Sequence, residues 1–502
     1  MARSLTNNLG MAVAIEASIG TLPATPLWVD LEPNSVGTYG PEITTVPRNP
    51  ISNTRQAQKG SVTDKDSSVE WEGDLTKHHA MQFMEGFIFA TRQSAAIINS
   101  AQAGSDYETL AAATNEFTHT TIGTAILQGS LVKSRGFSTA ANNGLFEVDA
   151  ASSVTSTPLA STPGVVAETP ATTTGARIDV CGFRFTDLVW TDATNTLTTA
   201  LVDESTLGLS AGQQIKVGIA GGNEFGNGVI TGRIVSIDGT SGIVLDKVEN
   251  VGTGTLDGGG NETATAVDLL YGPFVKNVAV SDSLFLERSF QFELAYADLD
   301  SVGTDEYEYA IGNLCNEVAI NMPGQDKATM AFNFIGTNSD EITVTRKGNA
   351  SNRVVAVQKA AFNTAAAFAR LNLWTTAEAD LATCFKSLTL TIANEVSPEK
   401  CLGTLGAVFM NTGNLAVSLE AELIFTDADL ATAITDNTTV TFDFLLSNDD
   451  GAISLDLPSL TLGGGAKSFP VNESIKIAVT GNTFADATLD TSIGFTEFPH
   501  WA

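Results

Sequence analysis

Apolar and polar residues alternate with a period of two along most of the recognisable runs of this chain, and Gly, Asn and Asp interrupt them every few residues. Such a pattern folds into half-buried strands joined by turns and leaves little room for long helices. The clearest case is the stretch 387–462. There Leu388, Leu390 and Ile392 alternate with Thr389 and Thr391, and Val417, Leu419, Ala421 and Leu423 alternate with Ser418, Glu420 and Glu422. After Phe425, Thr426 and Asp427 offer capping oxygens, Asp429 stands in the first turn, and Leu430, Ala433 and Ile434 make an apolar stripe at helical spacing. Residues 438–446 return to β-branched and aromatic types, Asn448-Asp449-Asp450-Gly451 turns the chain, and Ile453, Leu455 and Leu457 alternate up to Pro458. The expected order is strand, strand, helix, strand, strand.

The chain has 502 residues, enough for two to four domains, and with 43% hydrophobic and 17% charged residues it can build proper cores. Its 57 acidic and 26 basic side chains give a formal net charge of −31, the opposite of what gripping a phosphate backbone requires. Excess acid also serves solubility. Cys181, Cys315, Cys384 and Cys401 lack CxxC spacing and nearby histidines, so buried free thiols are expected rather than a zinc site or disulfides. The start, Met1-Ala2-Arg3 followed by Ser-Leu-Thr-Asn-Asn, lacks a secretory pattern, and no run of about 18 apolar residues occurs, so a soluble chain made in a cytoplasm is expected.

Read in order, residues 1–60 carry Pro23, Pro26, Pro33, Pro41, Pro47 and Pro50 among apolar pieces such as Leu27, Trp28, Val29 and Leu31, which suggests an extended arm folded against something else. In 67–92, Val69, Trp71, Gly73 and Leu75 share one side of a strand, and Glu70, Glu72 and Asp74 the other. A helix follows, with Ala80, Phe83, Met84 and Phe87 on its buried stripe. An acidic-faced strand feeding a short helix thus occurs twice, here and at 417–434, which suggests two copies of one module. From 119 to 265 the text is Gly-, Thr- and Asn-rich, with hairpin signals at Asn142-Asn143-Gly144, Asn227-Gly228 and Asp238-Gly239-Thr240, and 150–174 reads as a loop or linker. Strand-like text resumes with Phe290, Phe292 and Leu294, then Glu306-Tyr307-Glu308-Tyr309 before Gly312, then 328–334. The expected domains are an arm (1–60), a discontinuous first module (61–118 and 266–344), an inserted β region (119–265) and a second module (345–502). The end, Phe498-Pro499-His500-Trp501-Ala502, is a short apolar tag for a neighbour or for the chain's own core.

The succession SLTLTI, PEKCLGTLGA, LEAELIFTD and DLPSLTL resembles the major tail tube proteins of long-tailed bacteriophages, well over the last 120 residues or so and more loosely elsewhere. The resemblance implies a mainly β fold of sandwich or barrel modules, each with one short helix: two tail-tube-like modules plus an inserted small β domain. It also implies a structural virion protein of the phage tail, made in the bacterial host cytoplasm. Such a protein polymerises into stacked rings that conduct DNA into the host. Rings of family members with one module per chain are hexameric, so two modules imply a trimer with pseudo-sixfold symmetry. Other tail proteins (tape measure, terminator, tail tip) are the further partners implied, and DNA passes through without sticking.

No constellation for catalysis or metal binding emerges, and neither an enzyme nor a cofactor is expected. His78, His79, His119 and His500 have no nucleophile or ligand partner in sequence, and Gly221-Gly222 and Gly258-Gly259-Gly260 precede no phosphate-loop ending. Asp64-Lys65-Asp66 and Asn448-Asp449-Asp450-Gly451 lack the regular acidic spacing of a calcium loop. The residues singled out are Glu70, Glu72, Asp74, Glu420 and Glu422, expected to line or approach an acidic bore; the alternative puts them on the outer surface or at subunit contacts. The rival functions are a phage head or surface-layer protein built from similar β modules, and a carbohydrate-binding tail fibre.

Overall fold

The computed structural model describes residues 5–501 apart from 50, 52, 54–55, 94–96, 100–109, 120–124, 151, 161–163, 171–175, 220–221, 226–227, 239–241, 251–260, 264–265, 301, 349–352, 355–359, 376–380 and 382–383. The turns expected at Asn227-Gly228, Asp238-Gly239-Thr240, Gly221-Gly222 and Gly258-Gly259-Gly260, and the 150–174 linker, fall in whole or in part outside the described residues. The chain is mainly β with two α-helices among the described residues.

The strands that organise the fold are β1 (Leu9–Ile15), β2 (Pro33–Arg48), β3 (Gln58–Asp74), β4 (Ser289–Tyr296), β5 (Glu306–Pro323), β6 (Thr329–Gly336), β7 (Phe368–Thr375), β8 (Phe385–Ala393), β9 (Ala416–Ile424), β10 (Thr439–Asn448), β11 (Gly451–Ser468), β12 (Lys476–Thr483) and β13 (Gly494–Phe498). Helix α1 (Lys77–Ile88) follows β3 and α2 (Ala428–Thr435) follows β9. Thr76 caps the first helix by accepting from the His79 N–H, and Asp427 caps the second by accepting from the Asp429 N–H.

Two sets of strands pair in the same way. The first runs β1–β4–β5–β6–β3–β2. The second runs β7–β10–β11–β12–β9–β8. The helix sits at the same place in each, after the fifth strand of the path. Even an irregularity recurs: the β4–β5 ladder shifts register between Phe290 and Phe292, and the β10–β11 ladder between Val440 and Phe442. Position by position, Cys315 opposite Phe334 corresponds to Leu462 opposite Gly481, and Asn321 opposite Thr329 to Ser468 opposite Lys476. In the turns that follow, Gln325 and Asn472 correspond, both in the left-handed region at φ 65° and 63°.

The two sets are joined by backbone. β5 is long enough to change partners along its length: up to Leu314 it pairs with β4, and from Glu317 to Pro323 the same edge pairs with β8. The result is one continuous sheet, β2–β3–β6–β5–β8–β9–β12–β11, eight strands wide. Its inner face is apolar: Val69, Trp71, Val318, Ile320, Phe332, Phe334, Leu390, Ile392, Leu419 and Val479 are buried in one core. Phe83 of α1 sits at the centre of the aromatic part, with ring contacts to Trp71, Phe290, Phe292, Phe332 and Phe334 at 5.1 to 6.4 Å.

Several sequence expectations meet a different outcome locally. The stretch read as an extended arm contains β1, the strand Trp28–Leu31 and all of β2, each within this sheet system. Pro33, Pro41 and Pro47 are tolerated because β2 ladders with β3 alone among the described residues, so a missing N–H faces an unpaired edge. The strand expected to stop at Pro458 runs on to Ser468. Pro458 falls where the ladder steps from Leu460 to Leu457, in a bulge that asks no hydrogen bond of its nitrogen. The cysteines are free, but only Cys181 and Cys315 are buried; Cys384 is half-buried and Cys401 exposed in the β8–β9 loop.

Most of the described residues between α1 and β4 form a β unit with its own core of Phe183, Phe185, Trp190, Ile215, Ile234, Leu245, Leu269 and Tyr271, while Phe274–Lys276 ladders with β13. Its main sheet includes Ser130–Arg135, Arg177–Phe185, Gln214–Val217, Ile230–Asp238, Gly242–Asn250 and Val267–Leu270. The end of the chain docks on its own fold: Phe498 is buried, its ring stands 5.0 Å from that of Trp501, and the Lys216 ammonium lies 4.4 Å over the Trp501 ring.

Truncating the central aromatic should be costly. Phe83→Ala removes a fully buried ring that touches three strands, and about 3–5 kcal/mol of stability should be lost; the urea unfolding midpoint measures it.

Candidate functional site: an acidic sheet face

Strand alternation places every second residue of the eight-stranded sheet on the side away from the core. Three rows of cross-strand neighbours run across that side. One reads Glu72, Ala331, Ala319, Thr391, Ser418, Asn482; the next reads Asp74, Thr329, Asn321, Thr389, Glu420, Thr480; a third starts at Glu70 and passes through Asn333 and Glu317 to Ala393. Glu422 lies opposite Ser387 and Ala478. The five acidic residues singled out from the sequence therefore share one face, although they come from strands some 350 residues apart in the chain. The link that brings them together is the β5–β8 ladder.

The face is polar and small-chained, built of Thr, Ser, Asn and Ala between the carboxylates. Glu420 is exposed, and Glu70, Glu72, Asp74 and Glu422 are half-buried. Asn333 Nδ2 donates to Glu70 Oε1 at 2.8 Å, an amide partner that leaves the charge uncancelled. Lys327 Nζ meets Asp74 Oδ1 at 2.7 Å, and Asn34 also donates to Asp74. Partial burial pushes the Asp74 carboxyl up, but those hydrogen bonds outweigh it and hold the group below its ordinary value. Lys476 approaches Glu422 at 3.8 Å. Further along β3, Lys400 from the β8–β9 loop bonds Asp64 at 2.6 Å and Asp66 at 2.5 Å. These two aspartates, weighed from the sequence as a calcium loop, thus hold a lysine.

Sequence reading missed Glu317. It is exposed on the same face, and the signal was its alternation with Val318, Ile320 and Met322, which are buried on the other side of β5.

On the far side of the core in the second set, Phe442, Phe444, Leu455 and Leu457 point inward, while Asp443 and Asp456 point away and meet the inserted unit. There Arg370 Nε and Nη2 donate to Asp443 at 2.6 and 2.8 Å, and Arg370 Nη2 also donates to the Lys247 carbonyl at 2.6 Å. Arg233 Nη1 donates to Asp456 Oδ2 at 3.1 Å, and its Nη2 to Asp246 at 2.5 Å. Nearby, Lys77 Nζ pairs with Glu497 at 3.2 Å in a fully buried contact. Burial, opposed by Arg233 and reinforced by Asp443 and Asp246, pushes the Asp456 carboxyl up to about 7.

Two of the four histidines are buried. His79 Nδ1 lies 2.9 Å from the Asp74 carbonyl in the core beside Trp71, and His119 Nε2 lies 3.0 Å from Thr157 Oγ1. No group of three or more His, Cys, Asp or Glu is placed to hold a metal ion among the described residues. Nor is any described helix long and apolar enough to cross a membrane.

Among the described residues, a sheet with a broad polar face and unpaired edges is suited to edge-to-edge self-association. The sequence model of one family, described as phage tail tube protein, matches residues 234–490, a span that takes in β4 to β12. That is more than half of the chain, and the chain belongs to the phage tail tube protein family. No curated protein matches it. Membership makes it a structural component of the virion tail that assembles with itself and other tail proteins into a tube.

The raised Asp456 sets a pH dependence. A carboxyl whose folded value lies near 7, against an ordinary value near 4, favours the folded state most at low pH; that contribution is lost as pH rises from about 4 through about 7. Thermal unfolding followed from pH 5 to pH 8 should show this loss, and Asp456→Asn should flatten it.

Proposed function

We propose that the chain carries two copies of one tube module, β1 to β6 and β7 to β12, and that three chains close into a ring of pseudo-sixfold symmetry. Rings then stack into the conduit through which DNA leaves the capsid for the host. The observation that carries this reading is the continuous eight-stranded sheet built twice from the same four-strand pattern. Three such sheets joined edge to edge would close a barrel; with strands about 4.8 Å apart and tilted about 40°, its backbone diameter is roughly 45–50 Å, wider than a DNA duplex. Closure also removes the exposed edges that would otherwise aggregate.

In this reading the acidic face turns to the bore. Glu70, Glu72, Asp74, Glu317, Glu420 and Glu422 then stand around the passing duplex, which carries about one negative charge per 1.7 Å. Repulsion acts within a Debye length of about 8 Å and keeps the polymer from adhering to the wall. The inserted unit, packed across the core from the acidic face, belongs on the outside of the tube. Tape measure, terminator and tail-tip proteins meet the tube at its ends.

Negative-stain microscopy of concentrated protein tests the ring. Hollow rods with three large repeats in end-on averages are expected; six equal repeats would overturn the duplication, and persistent monomers the assembly itself. Charge tests the bore. Rods carrying Glu72→Lys and Glu420→Lys should retain short duplex DNA at low salt on sedimentation at least tenfold more than the parent, with retention lost at high salt. Equal retention would place the face elsewhere.

A further inference from the structure

The β5–β8 ladder is a joint between two modules inside one chain, and the duplication states what its counterpart must be. β5 corresponds to β11, and β8, the strand beside β9, corresponds to β2, the strand beside β3. From Glu317 to Pro323, β5 is flanked on one edge by β6 and on the other by β8. The corresponding part of β11, from Gly463 to Ser468, ladders with β12 alone among the described residues, and β2 ladders with β3 alone. We propose that these two edges pair with each other between copies: Gly463–Ser468 of one chain lies antiparallel to β2 of a second copy, in the register that β5 and β8 use within one chain. The proposal rests on the ring reading and names the seam that closes it.

Burial at corresponding positions supports it. Met322, opposite Leu388 in the internal joint, is 3% exposed; its counterpart, Phe469, is 71% exposed. Ile320 is buried opposite Leu390, and its counterpart Lys467 stands free of strand cover. A large aromatic in water at the position where the first copy buries a methionine is a surface shaped for a strand. The β11 edge offers little resistance to approach, since it reads Gly463-Gly464-Gly465-Ala466. On the other strand, Leu388 corresponds to Val36 and Leu390 to Tyr39, and in a bulge between them Gly37 and Thr38 stand where β8 has Thr389 alone. The seam therefore sets Phe469 against Val36, Ser468 against Thr38 and Lys467 against Tyr39. Pro41, the counterpart of Ile392, brings no N–H to the rung before the last.

Ser468 and Thr38 are both exposed, and their counterparts Asn321 and Thr389 touch across the internal joint, Thr389 Oγ1 to Asn321 Oδ1 at 3.2 Å. The test is a disulfide. In a Cys384→Ser, Cys401→Ser background, Thr38→Cys with Ser468→Cys is assembled, checked for rods by microscopy, oxidised, and run on a non-reducing denaturing gel. Covalent trimers are expected, with neither single variant giving more than disulfide-linked dimers. Asn321→Cys with Thr389→Cys, which should close within one chain, checks that this register can be oxidised. Hollow rods whose introduced thiols stay free, while the internal control closes, would overturn the seam and leave the ring standing. Failure of the unmodified chain to form rings would overturn the ring reading itself.

Discussion

The backbone ladder between β5 and β8 is the interaction on which the rest of the architecture depends. Each four-strand pattern alone would be a small sheet with two open edges. Because β5 outruns β4 and its remaining residues accept β8, seven residue pairs of main chain fuse the two patterns into one surface. A side-chain interface could slide or tilt; a strand ladder fixes direction, spacing and the face each residue presents. That is why carboxylates from β3 and from β9 end up as neighbours in one plane.

Polarity is distributed to match. The apolar faces of the sheet, α1 and α2 meet in one core, and the chain's ionic groups divide between two surfaces that behave differently. On the open face, carboxylates stand among hydroxyls and amides, with Lys327 and Lys476 touching only Asp74 and Glu422 among the five singled out. At the contact with the inserted unit, Arg233 and Arg370 are buried against Asp246, Asp443 and Asp456. Buried pairs of this kind contribute less to stability than to fixing one arrangement, because desolvation consumes much of the attraction.

Much of this was legible from the sequence. Period-two alternation identified the faces of β3 and β9, and the capping residues and apolar stripes located both helices, each after an acidic-faced strand. What escaped had physical reasons. The β2 strand is disguised by prolines that only an edge can accommodate. β11 continues through Pro458 because a bulge excuses its nitrogen. The β5–β8 joint is a non-local pairing, and nothing in either strand taken alone names its partner. Glu317 shared the acidic face in a segment whose alternation was overlooked, and the charged contact with the inserted unit joins residues from three distant stretches.

The inserted unit has a core of its own; ion pairs and hydrogen bonds join it to the sheet it rests on, and at its two ends Phe89, Val275 and Phe285 pack into apolar clusters of the main sheet. Arg233 and Asp456 meet in that contact, and without the guanidinium the Asp456 carboxyl, already raised by burial, would be pushed further up and held neutral. In this molecule each unit packs an apolar core of its own, and buried ion pairs hold the contact between them.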